Sequence, residues 1–173
     1  MDTLAARQQM VDQQIRTWEV LDPRVLDALS AVPREAFVPP EYRELAFADT
    51  PIPIGFGQTM LAPKLQGRIL QALGPNATDS ALEVGSGTGY LAAALSLLCA
   101  SRRLMAPSRE YDVVAVTGSL PVYDTRFERR LRVGGRLFAI VGVAPVMDAI
   151  LVRRVGKNEW IRESLFETVV EPV

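Results

Sequence analysis

A glycine-rich segment stands directly after a short apolar run and could hold a ligand. Residues 82–84 (Leu-Glu-Val) predict the end of a buried strand, residues 85–89 (Gly-Ser-Gly-Thr-Gly) predict a tight turn, and residues 90–99 predict a helix. Glycine allows positive φ angles and lets the backbone approach a ligand closely. We call residues 85–89 the glycine turn and interpret it as a ligand site. A tight strand-to-helix turn that binds no ligand is the alternative.

The spacing of the glycines and the residue ahead of them favour one kind of ligand. A dinucleotide-binding turn needs GxGxxG, and Tyr90 occupies the place of its last glycine, so a nicotinamide cofactor is the weaker alternative. The Gly-Lys-Ser/Thr of a phosphate-binding loop is absent from the turn. Glu83 could accept a hydrogen bond from a ligand ammonium group. S-adenosylmethionine has a zwitterionic methionyl end and no phosphate, so it fits this arrangement.

Composition excludes several classes of protein. The 173 residues are 49% hydrophobic and 23% charged, with a formal net charge of −1, which predicts one soluble domain without strong attraction to nucleic acid or membranes. Histidine is absent, so Ser-His and Cys-His nucleophile systems are excluded and no metal site is predicted. Cys99 is the single cysteine, which excludes an internal disulfide. Because no apolar span or signal peptide is evident, we expect a cytoplasmic protein.

Helices are predicted for the N-terminal part of the chain. Residues 1–20 have helical spacing. The apolar residues predicted to share its buried stripe are Leu4, Met10, Val11, Ile15 and Trp18. Asp22 and Pro23 predict the N-cap and first residue of a second helix, which Pro33 ends. A further helix is predicted over 63–73.

Residues 34–61 are rich in proline and glycine and predict an irregular but ordered segment. It carries four aromatic residues that need burial, namely Phe37, Tyr42, Phe47 and Phe56. This segment and the helices before residue 75 therefore form a predicted N-terminal part of the same domain.

From residue 81 the pattern becomes strand, helix, strand. The run "TRFERRLRVGGRLFAIVG" predicts a helix, a turn at Gly134-Gly135 and a strand over 136–140. Alternating residues around 156–158 predict an antiparallel hairpin. The predicted fold is α/β: a Rossmann-like, mostly parallel sheet over 76–173, with an antiparallel C-terminal hairpin and a helical N-terminal extension.

Several segments together resemble one family. In order they are "MVDQQIR", "LDALSAVPREAFVPPEYRELAFADTPIPIGFGQTMLAPKLQGRILQAL", "LEVGSGTGYLAA", "YDVVAVTGSLP", "RVGGRLFAIVG" and "SLFETVVEP". They resemble protein-L-isoaspartate O-methyltransferases, and the resemblance covers nearly the whole chain. It implies a Rossmann-like enzyme of protein repair, which uses S-adenosylmethionine to esterify an isoaspartyl carboxylate of a protein or peptide.

The implied chemistry needs no histidine. A sulfonium methyl is already activated, and a carboxylate is already ionised at neutral pH. Catalysis can come from holding the oxygen in line with the methyl carbon. In the family a hydroxyl of the "GQT(I/M)S" loop orients that carboxylate, and here the loop contains Gln58, Thr59 and Met60.

Two departures from the family pattern bear on activity. The first is Leu61, which stands at the family's serine position and offers no hydrogen bond to a carboxylate. Thr59 could substitute for the serine, or its hydroxyl could bond only to local backbone. We therefore expect weak or absent methylation of isoaspartyl peptides. A non-catalytic paralogue that keeps the scaffold as a binding module is the alternative function.

The second departure is a missing unit. The family has a further helix-and-strands unit of ~30–45 residues before the strand at Tyr111, and that unit carries the acidic residue that binds the ribose hydroxyls. Glu110 follows the glycines by roughly 20 residues, but it precedes a strand instead of ending one. We predict that the natural chain has a further segment near 101–107 and that the chain trace is broken between Cys99 and Ala106.

The candidate site residues follow from these interpretations. Thr59 is the predicted catalytic residue. The residues predicted to bind the cofactor are Gln58, Met60, Glu83, Gly85, Ser86, Gly87, Thr88, Gly89, Thr117 and Gly118. Thr117 and Gly118 are included because they are expected at the end of the next strand, where open sheets bind their ligands.

Overall fold

The computed structural model describes residues 3–99 and 110–172, and the chain divides into two compact units. The first unit is Met1–Gln71 with Ser86–Leu98, and the second is Ala72–Gly85 with Cys99–Val173. The predicted chain break and the predicted additional segment near 101–107 fall on residues 100–109, outside the described residues. None of the helices within 3–99 and 110–172 is long and apolar enough to cross a membrane.

The first unit begins with a helical segment of changing geometry. Helix α1 (Thr3–Met10) continues into a π-helical turn (Val11–Ile15) and a 3-10 turn (Arg16–Trp18). Met10, Val11 and Ile15 are buried, as predicted. The prediction was wrong for Leu4 and Trp18, which are 71% and 48% exposed. A single α-helical stripe cannot describe a segment whose number of residues per turn changes twice.

Helix α2 (Pro23–Ala31) begins where the sequence predicts it. The Asp22 carboxylate accepts a hydrogen bond from the Arg24 N–H at 2.9 Å, and Pro23 occupies the first helical position. Val25 and Leu29 are fully buried. The cap therefore fixes where this helix begins, and the apolar face fixes which side of the helix is buried.

The proline-rich segment is more regular than predicted. Two 3-10 turns (Arg34–Ala36 and Pro40–Leu45) lead into an antiparallel hairpin of strands β1 (Ile52–Gly55) and β2 (Gln58–Met60). Three of the four aromatic residues are partly buried, namely Phe37, Tyr42 and Phe47. The fourth, Phe56, is fully exposed at the hairpin tip, so the expectation that it is buried was wrong.

Helix α3 (Pro63–Leu73) follows the hairpin and packs closely against the first helical segment. A Cβ atom at Gly67 would lie 2.8 Å from Ile15 Cγ2 and 3.1 Å from Val20 Cγ2. Glycine is therefore required here for close approach between the segments, despite its poor helix propensity.

The second unit is a five-stranded sheet in the order β3 (Ala81–Val84), β4 (Tyr111–Leu120), β5 (Leu131–Val143), β6 (Val146–Gly156) and β7 (Glu159–Thr168). Strands β3, β4 and β5 pair in parallel, and β5, β6 and β7 pair antiparallel. Helix α4 (Tyr90–Leu98) follows β3, and the short helix α5 (Thr125–Glu128) precedes β5. The predicted α/β fold with antiparallel C-terminal strands is thus confirmed.

The predicted turn at Gly134-Gly135 was wrong, because both glycines lie inside β5. The pairing of β4 with β5 shifts register between Tyr111 and Val113, and Gly134 has φ +85°. A Cβ at Gly135 would lie 2.9 Å from the Arg132 carbonyl oxygen and 3.0 Å from the Tyr111 carbonyl oxygen. The glycine pair therefore permits an irregular stretch of the strand instead of ending a helix.

Candidate functional site

Glu83 has a partly buried carboxylate whose polar atoms are incompletely paired. It lies in β3 opposite Ala115 of β4. No group among the described residues hydrogen-bonds to its Oε2 atom, which is buried. Burial raises the pKa of the Glu83 carboxyl to about 7. A buried acceptor without a donor is costly to the folded protein, so this oxygen suits a cationic or N–H-bearing ligand.

The glycine turn has the backbone that its sequence predicts. The φ angles of Gly85, Gly87 and Gly89 are +84°, +49° and +83°, a region that other L-residues rarely adopt. The Gly89 N–H donates to the Ser86 carbonyl at 2.7 Å and closes the turn before α4 begins. Ser86 is exposed and Thr88 is partly exposed, so the turn presents polar groups to solvent.

Thr117 and Gly118 lie within β4, which continues to Leu120, so the expectation that they end this strand was wrong. The Thr117 hydroxyl lies 2.6 Å from the Gly85 carbonyl oxygen and 3.0 Å from that of Val84, and it donates to this backbone. Its proton is thus used within the protein. Thr117 fixes where the glycine turn begins and is a positioning residue.

The three candidate residues in strand β2 of the hairpin differ in their exposure to solvent. Met60 is buried opposite Ile52, Thr59 is partly exposed opposite Pro53, and Gln58 is exposed. Because successive side chains of a strand point to opposite faces, Thr59 and Met60 face opposite ways. Thr59 is therefore partly open to solvent, while Met60 is buried in the core.

Leu61 lies beyond β2 and is part of the core, with 8% of its surface exposed. Its carbonyl oxygen accepts a hydrogen bond from Arg34 Nη2 at 2.8 Å. Leu61 therefore contributes an apolar side chain to packing and a backbone carbonyl to a buried hydrogen bond.

Arg34 is a fully buried guanidinium that binds three segments of the first unit. Its Nε donates to the Ala46 carbonyl at 2.8 Å, and its Nη1 donates to the Gln66 side-chain oxygen. With the bond to Leu61, all three of these acceptors are uncharged. Burial lowers the pKa of the Arg34 guanidinium to about 10. Uncharged acceptors offset only part of the free-energy cost of burying a charge. The role of Arg34 therefore lies in the geometry of the hydrogen bonds by which it joins the three segments.

Tyr90 is the first residue of α4 and lies against Arg34. The Arg34 guanidinium carbon is 4.9 Å from the centre of the Tyr90 ring, and the Phe37 ring meets Tyr90 edge-on at 5.7 Å. Sequence reasoning assigned no role to Arg34 or Tyr90. The signal available was an arginine between Pro33 and an aromatic-rich stretch, inside one of the segments that resemble the family.

Comparison with known proteins decides the family. Residues 5–106, more than half of the chain, match the model of the family described as "Protein-L-isoaspartate(D-aspartate) O-methyltransferase (PCMT)". The chain belongs to this family. A protein-L-isoaspartate O-methyltransferase of Staphylothermus marinus is 30% identical, over 96% of this chain and 93% of its own length. One from Aeropyrum pernix is 50% identical, over 54% of this chain and 36% of its own length.

A solved structure in this methyltransferase family has the same fold. A protein-L-isoaspartate O-methyltransferase of Plasmodium falciparum, crystallised in complex with S-adenosyl-L-homocysteine, superimposes with a TM-score of 0.79 at 15% identity, covering 96% of this chain and 97% of that one. At this identity the superposition shows the fold alone.

At least one relative has residues that this chain lacks within the region where the two sequences match. The match with the Staphylothermus protein extends over 212 residues, more than the 173 of this chain, so that protein has residues without a counterpart here. The match to the family model ends at residue 106, between Cys99 and Tyr111. A further segment of the natural chain near 101–107 remains a prediction.

Proposed function

We propose that this chain transfers a methyl group from S-adenosylmethionine to an isoaspartyl carboxylate of a protein or peptide in the cytoplasm. The observation that carries the proposal is the buried Oε2 of Glu83, which has no hydrogen-bond partner among the described residues. It directly precedes a turn whose glycines adopt positive φ. An unpaired carboxylate and an exposed backbone turn fit the ammonium end of this cofactor. Membership of the methyltransferase family supports the same reading.

The residues proposed to hold the cofactor have different roles. Glu83 pairs with the ammonium group, the glycine turn lets backbone approach the ligand, and Thr117 acts through the Gly85 carbonyl that it holds. The full proposed set is Gln58, Met60, Glu83, Gly85, Ser86, Gly87, Thr88, Gly89, Thr117 and Gly118. When bound, the cofactor supplies an activated methyl group. With a carboxylate as the acceptor, the products would be a methyl ester and a neutral thioether.

Thr59 is proposed to orient the acceptor carboxylate. A carboxylate is ionised at neutral pH, so no side chain needs to remove a proton. The protein has to restrict rotation of the acceptor carboxylate and hold one of the carboxylate oxygens in line with the methyl carbon. Thr59 is partly exposed, and its hydroxyl can donate one hydrogen bond for this purpose.

Gly87→Val is expected to abolish binding of S-adenosylhomocysteine. Gly87 has φ +49°, which valine adopts only with strain, and the added side chain would occupy the space where backbone meets the ligand. Isothermal titration calorimetry on the full-length protein measures the affinity. Gly134→Val is the matched control, because Gly134 has φ +85° and nothing within 4 Å of a Cβ. Unchanged affinity in folded Gly87→Val would exclude the glycine turn as the cofactor site.

A non-catalytic binding module is the second candidate function, and the burial of Leu61 favours it. Binding of S-adenosylhomocysteine together with an absence of methyl transfer to isoaspartyl peptides would select this alternative. Transfer of labelled methyl to an isoaspartyl peptide, and none to the matching aspartyl peptide, would establish the enzyme.

Leu61→Ser is expected to raise methylation of isoaspartyl peptides while lowering stability. A hydrogen bond to a charged group contributes about 1.5–3 kcal/mol, which corresponds to tenfold or more in rate if it is formed fully in the transition state. Because Leu61 is buried, its truncation should cost about 2–4 kcal/mol of the free energy of unfolding. Labelled-methyl assays well below the melting temperature separate the two effects.

Leu61→Ala is the control for this prediction, since it shortens the side chain without adding a hydroxyl. Equal rates for the alanine and serine variants would show that the hydroxyl has no role. Robust activity of the wild type would show that Thr59 or backbone groups suffice.

A further inference from the structure

Phe56 combines complete exposure with an unfavourable backbone conformation. It occupies the tip between β1 and β2, where Gly55 pairs with Gln58. Its relative exposure is 103%, so its ring is fully accessible to solvent. Its φ angle is +54°, between +91° at Gly55 and +72° at Gly57, so three consecutive residues are left-handed.

Folding alone does not account for a phenylalanine at this position. A bulky L-residue adopts the left-handed region only with steric strain, whereas glycine or asparagine adopts it more readily. The fully exposed ring recovers none of this through burial. The flanking glycines have open space around a Cβ, so the tip is not shaped by packing. Strain of this kind persists where a function requires it.

The position of Phe56 along the chain indicates what it contacts. It precedes Thr59 by three residues, and a strand advances about 3.3 Å per residue, so the two Cα atoms are at most about 10 Å apart. An extended peptide whose isoaspartyl carboxylate meets Thr59 covers that distance with two or three residues.

We propose that Phe56 is a specificity-determining residue whose ring binds an apolar side chain of the acceptor peptide, two or three residues from the isoaspartyl residue. This inference rests on the proposed function, because Thr59 sets the position of the acceptor. The ring offers an apolar face and no charge, so aliphatic and aromatic side chains bind to it and carboxylates do not. The tip geometry holds the ring away from the protein, where a peptide can reach it.

The test uses two nonapeptides with a central isoaspartyl residue. One has leucine at the second and third residues on each side, and the other has serine at these positions. Affinity for the S-adenosylhomocysteine-loaded protein is measured by calorimetry, and kcat/KM is measured in the methyl-transfer assay. We expect the wild type to bind the leucine peptide about tenfold more tightly, since partial burial of a leucine provides about 1.4 kcal/mol.

Two variants isolate the ring from the backbone. Phe56→Asn removes the ring and tolerates the left-handed conformation, so we expect it to lose the preference for leucine. Phe56→Tyr keeps the ring and should keep the preference. Equal affinity of the wild type for both peptides, or a preference retained by Phe56→Asn, would overturn the inference.

The two readouts separate this inference from the proposed function. A ring-dependent preference in binding without methyl transfer would support the inference and refute the proposed activity. Methyl transfer without any preference would refute the inference and leave the activity standing. No binding of either peptide would refute the inference.

Discussion

Glu83→Gln stabilises the ligand-free protein at pH 8 and abolishes its binding of S-adenosylhomocysteine. Burial raises the pKa of the Glu83 carboxyl from 4.5 to about 7, so the folded state disfavours the ionised form. The resulting destabilisation is absent below about pH 4.5, grows as the pH rises, and is complete above about pH 7. At about 1.4 kcal/mol per pKa unit, the shift from 4.5 to about 7 sets an upper limit of about 3.5 kcal/mol. Glutamine carries no charge and avoids this cost.

Urea unfolding at pH 5 and pH 8 measures the effect on stability. The variant should exceed the wild type by a larger margin at pH 8, while calorimetry should detect no binding of the cofactor product. Glu167→Gln is the control, because Glu167 is exposed in the same unit and its substitution should change neither quantity. An equal margin at both pH values would show that the Glu83 carboxylate is not destabilising.

Arg34→Met lowers the free energy of unfolding by about 3 kcal/mol or more, because three buried acceptors lose their hydrogen-bond donor. The substitution leaves the carbonyl oxygens of Ala46 and Leu61 and the Gln66 side chain without their donor. Each unpaired buried group costs about 1–3 kcal/mol. Methyl transfer should also fall, because the Leu61 carbonyl anchors the chain two residues after Thr59.

Arg43→Met is the matched control, since Arg43 is exposed in a 3-10 turn of the same unit. The free energy of unfolding of Arg43→Met should differ from that of the wild type by no more than about 0.5 kcal/mol. Chemical denaturation of both variants gives the comparison, and similar losses would show that the buried network does not stabilise the fold. Arg34→Lys tests whether the shape of the guanidinium is required. A single ammonium on a flexible stem cannot reproduce the planar fork that spans the three acceptors.

Local signals were sufficient for much of the fold. Asp22 and Pro23 predict the start of α2 because capping depends on neighbouring residues alone. The strand at 82–84 and the hairpin around 156–158 follow from runs and alternation that need no distant partner. The resemblance to the family then implied the same Rossmann-like fold.

Other features depend on partners that are distant in sequence and were predicted wrongly or missed. Gly134-Gly135 has the composition of a turn, yet the approach of the Tyr111 carbonyl keeps it inside β5. Phe56 was expected to be buried because its ring is apolar, but its backbone at the hairpin tip directs it into solvent. For Glu83 the sequence predicts an interaction with a ligand ammonium, whereas its burial and its unpaired oxygen emerge only when β3 is packed.

The network around Arg34 shows the same limit for the candidate site. Its acceptors lie 12, 27 and 32 residues away along the chain, and no pattern in the sequence links them. The glycine turn could be identified as a candidate because its residue types suggest a ligand site directly, and Thr59 became a candidate through the resemblance to the family. The residues that hold them in place have no such signature.

Because Cys99 is buried, the rate at which a thiol reagent labels it reports transient unfolding of the protein. Its side chain is 3% exposed, and burial raises the pKa of the thiol to about 11. The thiolate is the form that attacks a maleimide, and it is scarce in the native state and shielded from solvent. Labelling therefore proceeds through transient opening of the protein. Since this is the single cysteine of the sequence, the labelling rate reports one site, and each variant described above can be followed without an added dye or a second cysteine.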